Sequence, residues 1–107
     1  MANIDVISLT RELISFNTIN PPGNESEIAI MLGKLLADNG FEVSLPVYDE
    51  NRLHLVAEKG VGGAEAPLVL SGHFDTVPLG ELSWARDPFS GETDGDRIYG
   101  RGSSDMK

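Results

Sequence analysis

The sequence predicts a three-layer α/β domain, on three observations. Two stripes of apolar residues at helical spacing occupy the first third of the chain, a stretch of period two runs from Phe41 to Glu58, and an apolar run, Leu68-Val69-Leu70, follows a glycine-rich segment. Amphipathic helices cover a sheet with one face each, and an apolar run with no polar alternation suits a strand buried on both faces.

The first element is a helix over Ile4 to Phe16, because Val6, Leu9, Leu13 and Phe16 share one helical face. Asn17 to Gly23 is a loop: Pro21 holds Asn20 in extended geometry, and Pro22 and Gly23 continue the break. Asn24 then caps a second helix, with Glu27 completing a capping box and Ile28, Leu32, Leu35 and Leu36 as its buried stripe. Gly40 ends it as a left-handed stop, which lets Phe41 pack on Leu36.

From Phe41 to Tyr48 apolar and polar residues alternate, and Pro46, which has no N–H for a ladder, places this strand at an edge or a bulge. Asp49-Glu50-Asn51 turns the chain into a second strand, Arg52 to Glu58, antiparallel to the first. Gly60 to Ala66 connects to the strand at Leu68, without the spacing or Lys-Ser/Thr ending of a phosphate-binding loop. Residues 79–90 show no period and wrap the site, anchored by Trp84 and Phe89. Asp94-Gly95 then marks a two-residue hairpin, which aims the loop from Gly100 to Asp105 back towards residue 73.

Composition narrows the function classes. Seventeen acidic and 8 basic residues give a net charge of −9, and no basic stripe is present to follow a phosphate backbone, which argues against nucleic-acid binding. No cysteine occurs, so only oxygen and nitrogen donors are available to a metal. There is neither a basic-then-apolar leader pattern nor an apolar run long enough for a membrane span, and a cytoplasmic protein is the simplest expectation.

The chemistry concentrates at two places. At the end of the Leu68 run, Ser71-Gly72-His73-Phe74-Asp75-Thr76-Val77-Pro78 sets an imidazole and a carboxylate two residues apart, beyond the carboxyl end of a strand, where ligand chemistry gathers in open α/β sheets. A neutral imidazole is the commonest metal-binding side chain, and a carboxylate accepting from its other nitrogen fixes the tautomer, a part suited to Asp75. At the other end, Gly100-Arg101-Gly102-Ser103-Ser104-Asp105-Met106-Lys107 supplies a lone carboxylate on a small-residue loop, 32 positions after His73. Each motif alone also describes a strand-end histidine or a turn aspartate. His54, with no carboxylate near it in sequence, reads as an exposed strand residue.

Together the two motifs, with Trp84, Asp87, Pro88 and Phe89 between them, closely resemble the two-zinc amidohydrolases and peptidases that include acetylornithine deacetylase, succinyl-diaminopimelate desuccinylase, carboxypeptidase G2 and aminoacylase. Asn20-Pro21-Pro22-Gly23-Asn24-Glu25 resembles the deacetylase and desuccinylase branch, whose substrates are N-acylated amino acids. The resemblance implies a three-layer sandwich of the zinc-peptidase type, His73 as ligand to one metal, Asp75 as the catalytic residue that orients His73, and Asp105 as a bridge between two zinc ions, with cobalt as an alternative metal.

The resemblance also implies a general-base glutamate, an adjacent glutamate ligand, a further acidic ligand and a distant histidine, all downstream of the second motif. The 107 residues thus read as the N-terminal part of a metallohydrolase catalytic domain, truncated after the second metal motif and inactive by itself. The partners implied are a small N-acyl amino acid or peptide substrate and, through the uncovered Leu68 strand, another copy of the chain. The alternative is a natural short module on the same scaffold that binds or assembles without catalysis.

Overall fold

The computed structural model describes residues 3–60 and 62–107; the first two residues, and Val61 within the expected 60–66 connection, lie outside the described residues. The chain is mixed α/β. Among the described residues, helix α1 (Val6–Ile14) and helix α2 (Ser26–Asp38) precede six short strands: β1 (Glu42–Ser44), β2 (Val47–Asp49), β3 (Arg52–Leu53), β4 (Val56–Glu58), β5 (Thr93–Asp94) and β6 (Arg97–Ile98). These form three separate antiparallel pairs, β1 with β4, β2 with β3 and β5 with β6.

Asp5 starts α1: its Oδ1 accepts from the Ile7 N–H at 3.1 Å and its Oδ2 from the Ser8 hydroxyl at 2.6 Å. This satisfies one of the orphan donors of the first turn. Leu13 and Ile14 are buried, whereas Val6, at the start of the expected stripe, is 69% exposed. Helix α2 does not use the expected capping box. Asn24 is left-handed at φ 51°, Glu25 occupies the cap with no side-chain cap bond, and its carboxylate is committed to Arg52 instead. The other end behaves as the sequence predicts. Phe41 N–H donates to Leu36 C=O at 3.1 Å and Gly40 N–H to Ala37 C=O at 3.0 Å, the paired bonds of a glycine-terminated helix, with Gly40 at φ 86°.

The stretch 42–58 is a single antiparallel hairpin, interrupted at Leu45-Pro46 and shifted in register between Val47 and Asp49. Val43 faces Ala57 and Val47 faces Leu53, and between the two pairs Pro46 contributes only its carbonyl, which accepts from His54 N–H at 2.8 Å. Gly33 of α2 is buried against this hairpin; a Cβ there would stand 3.3 Å from Val43 and Leu55. The last hairpin turns one residue later than expected, through Gly95-Asp96, with Thr93 facing Ile98 and Asp94 facing Arg97. Gly95 takes the first loop position because its φ is 57°.

The larger correction concerns Leu68 to Leu70. These residues form no strand and are 85%, 78% and 86% exposed. A buried parallel strand needs hydrogen-bonding neighbours on its sides and helices on its faces. Among the described residues β1 and β4 pair only with each other, and no strand is paired with 68–70. The described residues accordingly form no three-layer sandwich. The radius of gyration is 15.5 Å, against about 13 Å for a compact domain of this length. The nearly inaccessible apolar residues among those described are Leu13, Ile14, Ile28 and Ala29, all on α1 and α2.

Candidate metal centre

The loop after α1 is what places His73 and Asp75. Thr76 N–H donates to Thr18 C=O at 3.0 Å, Asn20 N–H donates to Thr76 C=O at 2.8 Å, and the buried Thr18 hydroxyl donates to Phe74 C=O at 2.6 Å. Residues 18–20 thus run parallel to 74–76, joined at Ile19 and Thr76. Loss of the expected Leu68 strand leaves the motif anchored from its far side.

The second motif arrives from the β5–β6 hairpin. Tyr99 N–H closes the hairpin base onto Glu92 C=O at 2.8 Å, and Arg101 N–H donates to Pro88 C=O at 2.7 Å. The Arg101 guanidinium then donates to Pro78 C=O at 3.2 Å and lies 4.9 Å from the centre of the Trp84 ring. Trp84 is therefore a platform for Arg101, and its indole N–H, donating to Leu79 C=O at 3.1 Å, ties down the segment it was expected to anchor. These contacts tie the Gly100 to Asp105 loop to the chain just past His73. Gly72 allows the last approach, since a Cβ there would meet the Met106 methyl at 3.0 Å.

All three candidate residues come together. His73 Nδ1 lies 3.0 Å from both the carbonyl oxygen and Oδ1 of Asp75, and His73 Nε2 lies 2.9 Å from Asp105 Oδ1. The ring is held between two carboxylates, which raises its pKa above the usual 6.5, first through the Asp75 carbonyl and next through the Asp105 carboxylate. Asp75 is shifted the other way: its Oδ2 accepts from Asn20 Nδ2 at 3.0 Å, and that bond, more than the neighbouring His73, holds its pKa below the usual carboxylate value. His54 lies on the hairpin, edge-on to Tyr48 at 5.7 Å between ring centres, apart from this cluster.

Behind Asp75 stands an ion pair with no strong signal in the sequence. Arg52 Nη2 donates to Glu25 Oε1 at 2.7 Å and Arg52 Nε to Glu25 Oε2 at 3.0 Å, and Glu25 is buried. This two-pronged pairing raises the Arg52 pKa, and the field of the guanidinium reaches Asp75. Asn20 and Glu25 both belong to the Asn20-to-Glu25 motif, so those residues contribute to the support of the site. A cleft of about 580 Å³ opens beside it, with His73, Asp75 and Arg52 at one side and Leu13, Leu36 and Leu55 among its apolar walls.

The donor set fits one metal position in part. Zinc bound at about 2.0–2.2 Å to nitrogen and oxygen in tetrahedral geometry sets its ligands roughly 3.3 Å apart, close to the 2.9 Å between His73 Nε2 and Asp105 Oδ1. With Nδ1 facing Asp75, Nε2 is the nitrogen left for a metal. Among the described residues no group of three or more histidine or acidic side chains is arranged to hold an ion. His73 and Asp105 supply two donors, and a catalytic zinc takes three from protein.

Comparison with known proteins finds relatives of this chain. The sequence profile of the peptidase family M20/M25/M40 matches residues 69–107, the segment that contains His73, Asp75 and Asp105. Over those residues the chain is similar to this family of peptidases. It is 38% identical over 109 residues to the succinyl-diaminopimelate desuccinylase of Wolbachia sp. subsp. Brugia malayi, covering 97% of this chain and 26% of that protein. The same enzyme of Wolbachia pipientis subsp. Culex pipiens is 40% identical over 107 residues, covering 97% and 25%, and that of Ehrlichia chaffeensis 37% over 108, covering 97% and 27%. The chain thus spans about a quarter of the length of these relatives.

Proposed function

We propose that this chain supplies the first metal-ligand pair of a two-zinc hydrolase that cleaves the amide bond of an N-acylated amino acid, and, from the desuccinylase relatives, an N-succinylated one. The observation that carries this reading is the His73 ring held between Asp75 and Asp105. His73 Nε2 and Asp105 would hold the metal, Asp105 extending to a second ion, and Asp75 would orient the imidazole. When bound, zinc, or cobalt in its place, supplies Lewis-acid polarisation of the amide carbonyl and a nucleophile at neutral pH. The chain's own part is to keep Nδ1 engaged with Asp75, so that the Nε2 lone pair faces the metal, and to present the Asp105 carboxylate opposite it. The remaining ligands and the general base come from residues outside these 107, within a three-layer zinc-peptidase sandwich whose strands flank Leu68 to Leu70.

The test is hydrolysis of N-succinyl-diaminopimelate in the presence of zinc. These 107 residues alone are expected to show no turnover, because two donors hold neither two ions nor a base. Joined to the portion of the Ehrlichia chaffeensis desuccinylase that follows its matching quarter, they are expected to show turnover that is lost in His73→Ala and in Asp105→Ala. A folded chimera that hydrolyses the substrate equally well with both substitutions would overturn the assignment.

A further inference from the structure

We infer that Asn20 is a positioning residue, acting through Asp75 to set which nitrogen of His73 carries the proton. The inference rests on the metal-site reading above and adds to it a residue that never touches the metal.

The geometry is directional. An ionised carboxylate only accepts hydrogen bonds, so the Asn20 atom 3.0 Å from Asp75 Oδ2 must be the amide nitrogen, and the orientation of the Asn20 amide follows. Its donation leaves Asp75 Oδ1, 3.0 Å from His73 Nδ1, as the oxygen that receives the imidazole. The backbone of Asn20 is itself fixed, because its N–H donates to Thr76 C=O at 2.8 Å one residue past Asp75. The amide is thus built on the same parallel contact that carries the metal motif and cannot drift independently of it.

This matters because two carboxylates compete for the ring. When the imidazole is neutral it has one proton, to be shared between Nδ1, 3.0 Å from both the Oδ1 and the backbone carbonyl of Asp75, and Nε2, facing Asp105. Asp105 is 85% exposed and free to reorient into water, whereas Asp75 is 34% exposed and held by Asn20. A hydrogen bond weakens steeply as its angle falls towards about 120°, so the better-aimed acceptor keeps the proton. Donation from Asn20 also makes the Asp75 carboxylate less basic, which acts against this effect. Aim is the larger factor, because a half-exposed carboxylate without an anchor rotates about its terminal bond and turns to water. The proton on Nδ1 is what leaves the Nε2 lone pair available to a cation. Asn20-Pro21-Pro22-Gly23-Asn24-Glu25 therefore acts on the metal motif from both of its ends: Asn20 aims Asp75, and Glu25 clamps the Arg52 whose charge faces it.

The experiment uses the 107-residue chain with 15N-labelled histidine. Imidazole nitrogen shifts are read at one alkaline pH, with the ring neutral, for the parent, Asn20→Leu, Asn20→Gln, Asp75→Asn and the double variant. The parent is expected to show the Nδ1–H tautomer at His73, Asn20→Leu to move the population towards Nε2–H, and Asn20→Gln, which keeps an amide donor, to restore most of it. Because Asn20 acts through Asp75, Asn20→Leu in the Asp75→Asn background is expected to add nothing. Zinc affinity by calorimetry should fall about tenfold in Asn20→Leu, the usual scale for a residue behind a metal ligand. An unchanged tautomer in Asn20→Leu, or an equal further shift in the double variant, would overturn the inference. If Asn20→Leu fails to fold, Asn20→Gln against Asp75→Asn decides: parent-like shifts in the first and altered shifts in the second support it, and altered shifts in both overturn it. The tautomer needs no metal, so a parent chain that binds no zinc would sink the metal-site reading while leaving this question to the shifts.

Discussion

His73 Nε2 lies 2.9 Å from Asp105 Oδ1, although 32 positions separate the two residues in the chain. A hairpin and an arginine clamp bring them together, so that Nε2 and Oδ1 both face the position where a cation would bind.

Zinc binding should therefore be weak, limited to one ion and dependent on His73. Titration calorimetry at neutral pH is expected to show one ion per chain, with binding lost in His73→Ala and retained in His54→Ala. Submicromolar binding of two ions would show that other residues complete the centre.

The raised pKa of His73 carries a definite sign for stability. The folded state holds the imidazolium more tightly than the unfolded chain does, so this stabilisation is fully present below pH 6.5 and is lost as pH rises through the higher folded value. The urea midpoint of the parent, relative to His73→Gln, should decline across that window. In an NMR titration, Asp105→Asn should bring the His73 midpoint down only part of the way, since the larger influence, the Asp75 carbonyl, survives the substitution.

Gly23→Ala should destabilise the chain by about 1–3 kcal/mol, the scale of a residue forced into a sparsely populated backbone region. Gly23 sits at φ 104°, and an added Cβ would stand 2.6 Å from Arg52 Nε and 2.8 Å from Glu25 Oε1, inside the ion pair. Denaturant unfolding measures the loss. A midpoint equal to that of the parent would mean that the Arg52–Glu25 clamp is dispensable.

The exposed run Leu68 to Leu70 should drive self-association held in check by the charge of −9. Raising the salt concentration screens that repulsion, with a Debye length of about 10 Å at 0.1 M and 3 Å at 1 M. Light scattering is expected to show a larger apparent mass at high salt, and Val69→Lys should reduce it by placing a charge on the unpaired segment. A monomer at every salt and concentration would count against this surface as a contact site.

What the sequence determined by itself was local. Gly40 stopping α2, the break of the long hairpin at Pro46 and the turn near Gly95 all follow from backbone chemistry within a few residues, and the approach of His73 to Asp75 and Asp105 was expected from the two motifs taken together with the resemblance they carry. The Leu68 run was misread because an apolar segment becomes a buried strand only when other segments supply hydrogen bonds and covering faces, which is a property of the whole sheet. Asn24 gave way as a helix cap because it is left-handed and the helix starts one residue later, where Glu25 pairs with Arg52, 27 positions away, instead of bonding the first turn. Tertiary structure alone placed Asn20 against Asp75, 55 positions apart, because a contact between two loops depends on how α1 and the 74–76 segment align and leaves no periodic trace in the chain.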